Sequence, residues 1–358
     1  MPYLPPTSHV TLFATMRRER LLPLAGAVTV QPRQRVEAAD VVARTFVADR
    51  HYLVDVGRKL GLPDDKADSA LLKKDGDPVK AGEPIAVRKT ALGLRRLAAR
   101  SPADGQLVAA AGGKALVAAI SKPFELRAGI PGQVVTILQA HGVILETTGA
   151  LLEGVWGNGH EDFAVLRLMG DGPAAALKPD QVAMEMRGGL LAVGVLTDLA
   201  ALKRLAEVRV RGLIVGGLGA SLLPAAGQMD FPVLVVEGFG ARGFSAPAYA
   251  LLTGNAGREA WLNAVVRNRF QGRRPELIVP LPPTHTPPPP PVEGETLAAG
   301  QRVRVVRGPD AGRVGVVQMV GDRPAPAASG VRALLARVLL DQATEPVDVP
   351  APNLEILQ

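Results

Sequence analysis

The sequence is 358 residues long, which is enough for about two to four domains with cores of their own. It contains no cysteine, which excludes disulfide scaffolds, cysteine-ligated zinc and iron–sulfur clusters. The net charge is +7, and the basic excess lies in residues 1–130 (+8) and 187–281 (+5). No apolar run approaches the roughly 18 residues that span a bilayer, so we expect a cytoplasmic protein without a membrane span.

Short strands separated by turns are predicted for residues 21–130, after an N-terminal arm at 1–20. Two stretches, beginning at Gly26 and Asp75, share a turn followed by a lone Val, spacer residues and a short apolar strand. A third turn and strand begin at Ser101. Together these stretches resemble the barrel-sandwich hybrid of biotinyl and lipoyl carriers, a fold that also occurs as an insert in large assemblies.

A basic insert at 88–100 interrupts this hybrid-like pattern. Carriers present a lysine at a tight hairpin tip just before the Ser-Pro turn, whereas Lys89 lies twelve positions before Ser101. We therefore expect no attached biotin or lipoate, and no other cofactor. The insert is either a solvated hairpin or helical turn, or a docking element for an acidic partner, a phosphate backbone or a membrane surface. Its basic residues are Arg88, Lys89, Arg95, Arg96 and Arg100.

Residues 131–186 continue the β pattern, with a hairpin predicted from 134–138 and 142–146. A glycine-rich loop follows, in which His160 stands beside two acidic residues. Adjacent side chains do not readily converge on one ion, and no second histidine lies at helical spacing. We therefore predict a surface turn here and no metal site.

The pattern changes to a β-α-β succession in residues 187–281. Continuous apolar runs are typical of parallel strands that are buried on both faces. The sequence thus predicts a small Rossmann-like parallel α/β domain with three or four parallel strands. The expected elements are strands at 190–195, 212–217, 231–236 and 276–280, with helices after Asp198 and over 258–270.

Three strands of this domain end in polar or glycine-rich loops, and parallel sheets bind ligands outside the carboxyl ends of their strands. The loops are either one anion-binding crevice or tight strand-to-helix turns. These loops lack the third glycine of a dinucleotide-binding fingerprint, and they contain neither the lysine of a P-loop nor a nucleophile elbow. We therefore predict no catalytic residue. The candidate crevice residues are Thr197, Asp198, Gly216, Gly217, Gly219, Ser221, Glu237, Gly240 and Arg242.

A proline-rich linker at 282–292 marks the clearest boundary, because a run of prolines favours a semi-rigid, extended spacer. Beyond it, in 293–358, alternating valines flank a turn that contains several glycines. This segment resembles the KOW motif of transcription-elongation factors and ribosomal proteins, and the resemblance implies an SH3-like β-barrel. The KOW-motif residues are Gly308, Pro309, Gly312 and Gly315, the last of which permits a bulge or a close backbone approach.

The predicted fold class is multidomain β and α/β: a barrel-sandwich-hybrid-like domain, a Rossmann-like α/β domain and a KOW barrel. This order resembles a family of bacterial multidomain proteins, and that resemblance implies no activity. One candidate function is a non-catalytic adaptor or scaffold that docks protein partners through the barrel and the hybrid domain. The alternatives are an RNA- or ribonucleoprotein-associated factor that uses the basic insert, and an enzyme or ligand-binding protein that uses the crevice. Residues 293–358 contain no Phe, Tyr or Trp for base stacking and carry a net charge of −1, which favours protein docking.

Overall fold

The computed structural model describes residues 4–48, 50–89, 96–119, 123–266, 273–282, 286–292 and 294–357. These residues are mostly β, with short helices between some of the strands. None of the helices in this part of the chain is both long and apolar enough to cross a membrane.

The elements are numbered in chain order. The strands up to residue 127 are β1 (Thr7–Ser8), β2 (Val10–Leu21), β3 (Ala27–Val28), β4 (Arg35–Val36), β5 (Val41–Thr45), β6 (Arg50–Asp55), β7 (Pro78–Val79), β8 (Pro84–Lys89), β9 (Arg96–Arg100), β10 (Gly105–Ala111), β11 (Lys114–Ala119) and β12 (Phe124–Arg127). The central strands are β13 (Gly132–Leu138), β14 (Gly142–Glu153), β15 (Trp156–Gly157), β16 (Glu161–Met169), β17 (Leu190–Leu196), β18 (Gly212–Leu218), β19 (Val233–Phe239), β20 (Glu259–Asn263) and β21 (Glu276–Pro280). The last strands are β22 (Arg302–Val305), β23 (Val314–Val320), β24 (Ala325–Pro326), β25 (Arg332–Ala333), β26 (Leu335–Leu340), β27 (Val347–Pro350) and β28 (Leu354–Leu357). The α-helices are α1 (Val56–Leu60), α2 (Asp64–Asp68), α3 (Leu199–Val208), α4 (Leu223–Ala226) and α5 (Ala246–Gly254).

One large sheet, called the main sheet below, organises the middle of the chain. Its strand order is β15-β19-β18-β17-β16-β20-β21-β14-β13-β4, and β2 also pairs with β14. Strands β16 to β19 are parallel, which confirms the predicted parallel strands, and the predicted hairpin is β13 paired with β14. Segments 131–186 and 187–281, which the sequence divides, therefore share one sheet.

Helices cover both faces of the central parallel strands β17 and β18, which explains why these two strands are apolar and buried throughout. One face packs Leu191 and Val215 against Leu202 and Leu205 of α3. The opposite face packs Ile214 and other residues against the α5 helix. A strand with helices on both sides has no solvent-facing position, so its sequence shows no polar alternation.

Two predictions for residues 254–281 are wrong. The helix expected over 258–270 is instead strand β20, and residues 267–270 lie outside the described part of the chain. Its residues Ala260, Trp261 and Leu262 are all buried because β20 lies between β16 and β21, with a core on each face. Strand β21 is antiparallel to its neighbours, so the fourth parallel strand is β16 rather than 276–280.

Residues 50–119 form an inserted lobe with its own core. Its four-stranded sheet has the order β6-β11-β10-β7, and the hairpin of β8 and β9 forms a second sheet. The two sheets and helices α1 and α2 enclose a cluster that includes Leu60, Ile85, Leu107 and Val117. The hybrid-like region 21–130 is thus divided in two, because residues outside the lobe, such as Val42 and Leu126, pack in a different core.

The C-terminal sheet has the order β1-β28-β22-β23-β26-β27. Strand β1 comes from the start of the chain and pairs in parallel with the last strand, with Thr7 opposite Ile356. Strand β2 follows at once and pairs with β14 along most of its length. The predicted arm at 1–20 is therefore two sheet strands, which connect the C-terminal sheet to the main sheet.

The described prolines of the predicted linker contact the main sheet. Thr15 Oγ1 donates a hydrogen bond of 2.7 Å to Pro288 O, and Thr15 N donates one of 3.3 Å to Pro289 O. Pro287, Pro288, Pro290 and Pro291 line a cavity of 490 Å³ with residues of β2 and β14. The described part of this segment, which the sequence predicts to be a semi-rigid linker, therefore runs along the edge of β2.

Gly315 tests the close approach predicted in the glycine-rich motif. A Cβ at Gly315 would lie 2.4 Å from Leu339 O of the neighbouring strand, whereas Gly254 at the end of α5 has open space around it. We expect Gly315→Ala to lower the free energy of unfolding by about 1–3 kcal/mol, because the backbone must move. Gly254→Ala is the matched control and should leave it unchanged or slightly raised. Chemical denaturation of both variants measures the difference, and equal values would contradict the close approach.

Candidate functional site

The predicted crevice at the strand ends is filled by the protein's own backbone. A Cβ at Gly216 would lie 2.5 Å from Phe244 N, and a Cβ at Gly217 would lie 2.4 Å from Arg242 O. The loop that contains Gly240 and Arg242 therefore lies directly on the end of β18. A residue with a side chain at either position would collide with this segment, so the glycines permit its close approach.

The remaining crevice residues do not converge on one point. Asp198 is exposed and caps α3 by accepting a hydrogen bond of 2.7 Å from Ala200 N. Thr197 and Ser221 are exposed, and Gly219 is a buried residue that begins a short 3-10 helix. The arrangement matches strand-to-helix turns, which was the alternative interpretation of these loops.

Glu237 and Arg242, the other two charged residues of the set, face the C-terminal sheet. Glu237 accepts a hydrogen bond of 2.8 Å from Ser245 N and a second from the Arg304 guanidinium. Arg242 passes beside the turn after β22, where a Cβ at Gly312 would lie 3.6 Å from Arg242 Cδ. The strand ends are thus an internal contact between two parts of the chain.

Arg304 lies at the centre of a buried cluster, called the ionic node below. It binds Glu237 on one side and Glu355 on the other, with 2.5 Å from Arg304 Nη2 to Glu355 Oε2. Glu355 Oε1 also accepts from Ser8 Oγ at 2.5 Å and from Arg274 Nη1 at 3.0 Å. The side chains of Arg304, Glu237 and Glu355 are each 3–4% exposed. The node therefore joins β1, β19, β22, β28 and the residues before β21.

The charges of the node shift one another's ionisation. Burial alone would raise the pKa of Glu355, but the charge of Arg304, hydrogen bonds from Ser8 and Arg304, and the charge of Arg274 outweigh burial and lower it. Burial would likewise lower the pKa of Arg304, and its two glutamate partners raise it instead. Glu355 and Arg304 are therefore charged in the folded protein at neutral pH.

Sequence patterns did not identify the node. Arg304 lies in an alternating Arg-Val-Arg-Val strand, in which either arginine could face solvent, and only Arg302 does. The one available signal is Glu355, which interrupts the apolar run from Leu354 to Leu357. A charge inside an apolar strand indicates a buried partner, but it does not identify which residue that partner is.

The basic insert is a hairpin whose cations differ in their roles. Arg88 Nη1 donates to Leu60 O at 2.9 Å and to Gly61 O at 2.7 Å, at the end of α1. Arg100 Nη1 donates to Gly82 O at 2.7 Å. Lys89 and Arg96 are exposed and form the last pair of the hairpin, and Arg95 lies outside the described residues. Lys89 and Arg96 are therefore the exposed cations at the hairpin end, whereas Arg88 and Arg100 form hydrogen bonds within the lobe.

The predicted KOW-motif residues form the turn between β22 and β23 and the start of β23. Gly308 and Gly312 have φ of 100° and 94°, which a residue with a side chain rarely adopts. Pro309 lies within this turn, and Gly315 pairs with Leu340 of β26. The turn lies against Arg242, so part of the motif packs against another part of the same chain.

The acidic residues beside His160 bind arginines. Glu161 pairs with Arg20, whose guanidinium also lies 5.3 Å from the centre of the Trp261 ring. Asp162 pairs with Arg211, and this contact raises the pKa of Arg211. Across the described ranges, no group of three or more His, Asp or Glu side chains is placed to hold a metal ion.

Comparison of the chain with models of known protein families, and with curated protein sequences, gives no match.

The ionic node predicts a large loss of stability when its centre is removed. Arg304→Met leaves Glu237 and Glu355 buried without their main partner, and we expect unfolding to become easier by about 3–5 kcal/mol. Arg302→Met is the matched control from the same strand, because Arg302 forms an exposed pair with Asp341 that contributes little. Denaturant titration measures the free energy of unfolding of both variants. Similar decreases in the two variants would contradict the prediction that the node stabilises the fold.

The lowered pKa of Glu355 predicts acid sensitivity. A carboxylate whose pKa is depressed by folding stabilises the folded state above its unfolded pKa, and this contribution is lost as the pH falls through the folded pKa. We therefore expect melting temperature to fall between about pH 5 and pH 2, with part of the fall due to Glu355. Glu355→Gln should melt lower than the parent at neutral pH and depend less on pH in the acid range. If the melting temperatures of the two proteins fall equally with pH in the acid range, Glu355 does not contribute to the acid sensitivity.

Proposed function

We propose that this protein is a non-catalytic adaptor or scaffold of a cytosolic assembly, and that the inserted lobe is its recognition element. The observation that carries the proposal is the position of the lobe. It is a separately packed body, described over residues 50–89 and 96–119, and it is set between two strands that already pair with each other. A part with its own core can take up a partner without disturbing the sheet that carries it.

The insertion geometry supports this role. Thr45 at the end of β5 is opposite Phe124 at the start of β12, and Arg50 of β6 is opposite Ala119 of β11. The chain therefore leaves and re-enters the rest of the protein at neighbouring points. Lobes inserted in this way are typical of tolerated domain insertions.

The surface chemistry of the lobe fits an acidic protein partner. Residues 50–119 contain 13 Lys and Arg against 8 Asp and Glu. Several of the acids bind backbone N–H groups within the lobe: Asp55, Asp68, Asp77, Glu83 and Asp104. Lys89 and Arg96, in contrast, extend from the hairpin end. This end offers positive charge to a partner that carries acidic side chains.

The resemblance to a barrel-sandwich hybrid belongs to the proposal and is best assigned to the inserted lobe. Its hairpin of β8 and β9 carries Lys89 at one end, as a carrier domain would. Six residues nevertheless separate Lys89 from its neighbour Arg96, so the lysine ends a strand and does not occupy a tight turn. We propose a docking use of the hybrid fold without an attached group.

The C-terminal sheet, which we propose is a KOW-type SH3-like barrel, has a mainly internal role. It contributes Arg304 and Glu355 to the node and turns its motif loop toward Arg242. These contacts occupy one side of the sheet. We therefore propose that the barrel stabilises the position of the C-terminal sheet against the main sheet.

RNA binding is the second candidate, and the hairpin geometry counts against it. A phosphate-binding patch needs several free cations, since each neutralised phosphate adds to affinity. Arg88 and Arg100, two of the five basic residues in the insert, hold carbonyl groups of the lobe itself. The filled strand-end crevice likewise counts against a ligand-binding role there.

Removal of the lobe tests the proposal. Replacing residues 46–123 by Asn-Gly joins Thr45 to Phe124 through a two-residue hairpin turn, since these residues are already paired. We expect this variant to stay folded and to lose the protein partners that the full chain retains from native lysate after nuclease treatment. Unchanged partner capture by the variant would place recognition elsewhere.

Charge variants assign the contact within the lobe. Lys89→Glu with Arg96→Glu should weaken partner capture. Lys74→Glu with Lys80→Glu, in the turns that flank β7, is the control with the same change in charge. Submicromolar RNA binding by the purified chain that falls steeply with salt and is lost in the first variant would favour the RNA factor instead.

A further inference from the structure

Strand β6 is an edge of the lobe sheet, and its exposed face is unusual. The sheet order begins with β6, and no described strand pairs with its other edge. Leu53 in the middle of β6 is 66% exposed, the largest exposed fraction among the large apolar residues of the described chain. Edge strands are normally protected by charge, proline or a covering segment, because an open edge can pair with another strand.

An apolar row crosses the lobe sheet and ends at Leu53. Leu53 is opposite Leu116 of β11, and Leu116 is opposite Ala109 of β10. These residues lie on the face away from the lobe core, since Val54 and Val117, their neighbours in sequence, are buried in that core. The row therefore stops at the open edge with its most exposed member outermost.

The sequence of β6 is self-complementary in one antiparallel register. We consider two copies related by a two-fold axis perpendicular to the lobe sheet, which keeps the core faces of both copies on the same side of the joined sheet. Directly opposed residues must then come from the same face of the two strands. The register centred on Leu53 meets this condition. It places Leu53 opposite the second Leu53, His51 opposite Asp55, and Tyr52 opposite Val54.

The two neighbouring registers that meet the same condition are centred on Tyr52 and on Val54, and their side chains match poorly. The first leaves Asp55 without an opposing polar partner within β6, and the second places the apolar Leu53 opposite the charged Asp55. The register centred on Leu53 instead places an imidazole opposite a carboxylate at both ends of the pair. Polar pairs that can hydrogen-bond and apolar pairs both stabilise a sheet when they lie directly across from each other.

We propose that two copies of this chain associate through their β6 edges. The two four-stranded lobe sheets then form one eight-stranded sheet, and the apolar row becomes continuous across the two-fold axis. This association goes beyond the adaptor function and does not depend on it. If both hold, the dimer presents two basic hairpin ends, so that a partner with two acidic segments binds both at once.

Sedimentation velocity of the full chain over a concentration series measures the association. We expect a monomer–dimer equilibrium for the parent and monomer alone for Leu53→Glu, because two carboxylates would meet on the two-fold axis. Leu72→Glu is the matched control: Leu72 is another exposed leucine of the lobe, at 55% exposure, and this variant should associate like the parent. A parent chain that is monomeric throughout, or a dimer that Leu53→Glu leaves intact, overturns the proposal.

Cross-linking tests the register directly, because the chain contains no cysteine. Directly opposed residues of an antiparallel pair have Cα atoms about 4.5–5.5 Å apart, which is within the range of disulfides. Leu53→Cys should therefore form a covalent dimer under diamide, as seen on non-reducing gels. Leu72→Cys should remain monomeric under the same oxidant, and cross-linking of both variants at equal rates would contradict the β6 pairing.

Discussion

Arg304 is buried between two glutamates that belong to different sheets, and the arrangement of the whole chain depends on that contact. Burying three charges is costly unless each has close partners, and here Ser8 and Arg274 complete the shell around Glu355. The node therefore tolerates only one relative position of the C-terminal sheet and the main sheet. A purely apolar contact would hold the two sheets together but would fix their orientation less strictly.

The same contact occupies part of the edge where the parallel strands end. Glu237 lies at the end of β19, where α/β sheets commonly place a ligand-binding group, and its carboxylate is bound to Arg304 and Ser245 N. The glycines at the end of β18 accept the backbone of the following loop. The strand ends, where ligands bind in other α/β sheets, here join the main sheet to the C-terminal sheet.

Local patterns were sufficient for some of this architecture and insufficient for the rest. The parallel strands and the β13–β14 hairpin could be predicted, because continuous apolar runs and a glycine between two β-rich segments are local signals. Strand β20 was missed because three successive buried residues, with a core on each face, have neither strand nor helix periodicity. The pairing of Thr7 with Ile356 joins the two ends of the sequence, and no local signal reports such a contact. The node was missed for the same reason, since Ser8, Glu237, Arg274, Arg304 and Glu355 meet only in the folded chain.

Some strand edges of this protein are covered by other segments of the chain and others are not, and this difference bears on the proposed dimer. The outer edge of β28 is covered by β1, and the outer edge of β2 is covered by the segment around Pro289, which accepts the hydrogen bond from Thr15 N. Proline has no N–H to offer, so a proline-rich cover satisfies the edge without creating a new one. In the described chain β6 has no equivalent cover, although it is longer than β1 and carries the most exposed leucine. Among the sheet edges that no described strand covers, the edge of β6 carries the most exposed large apolar side chain, which is consistent with an edge kept for intermolecular pairing.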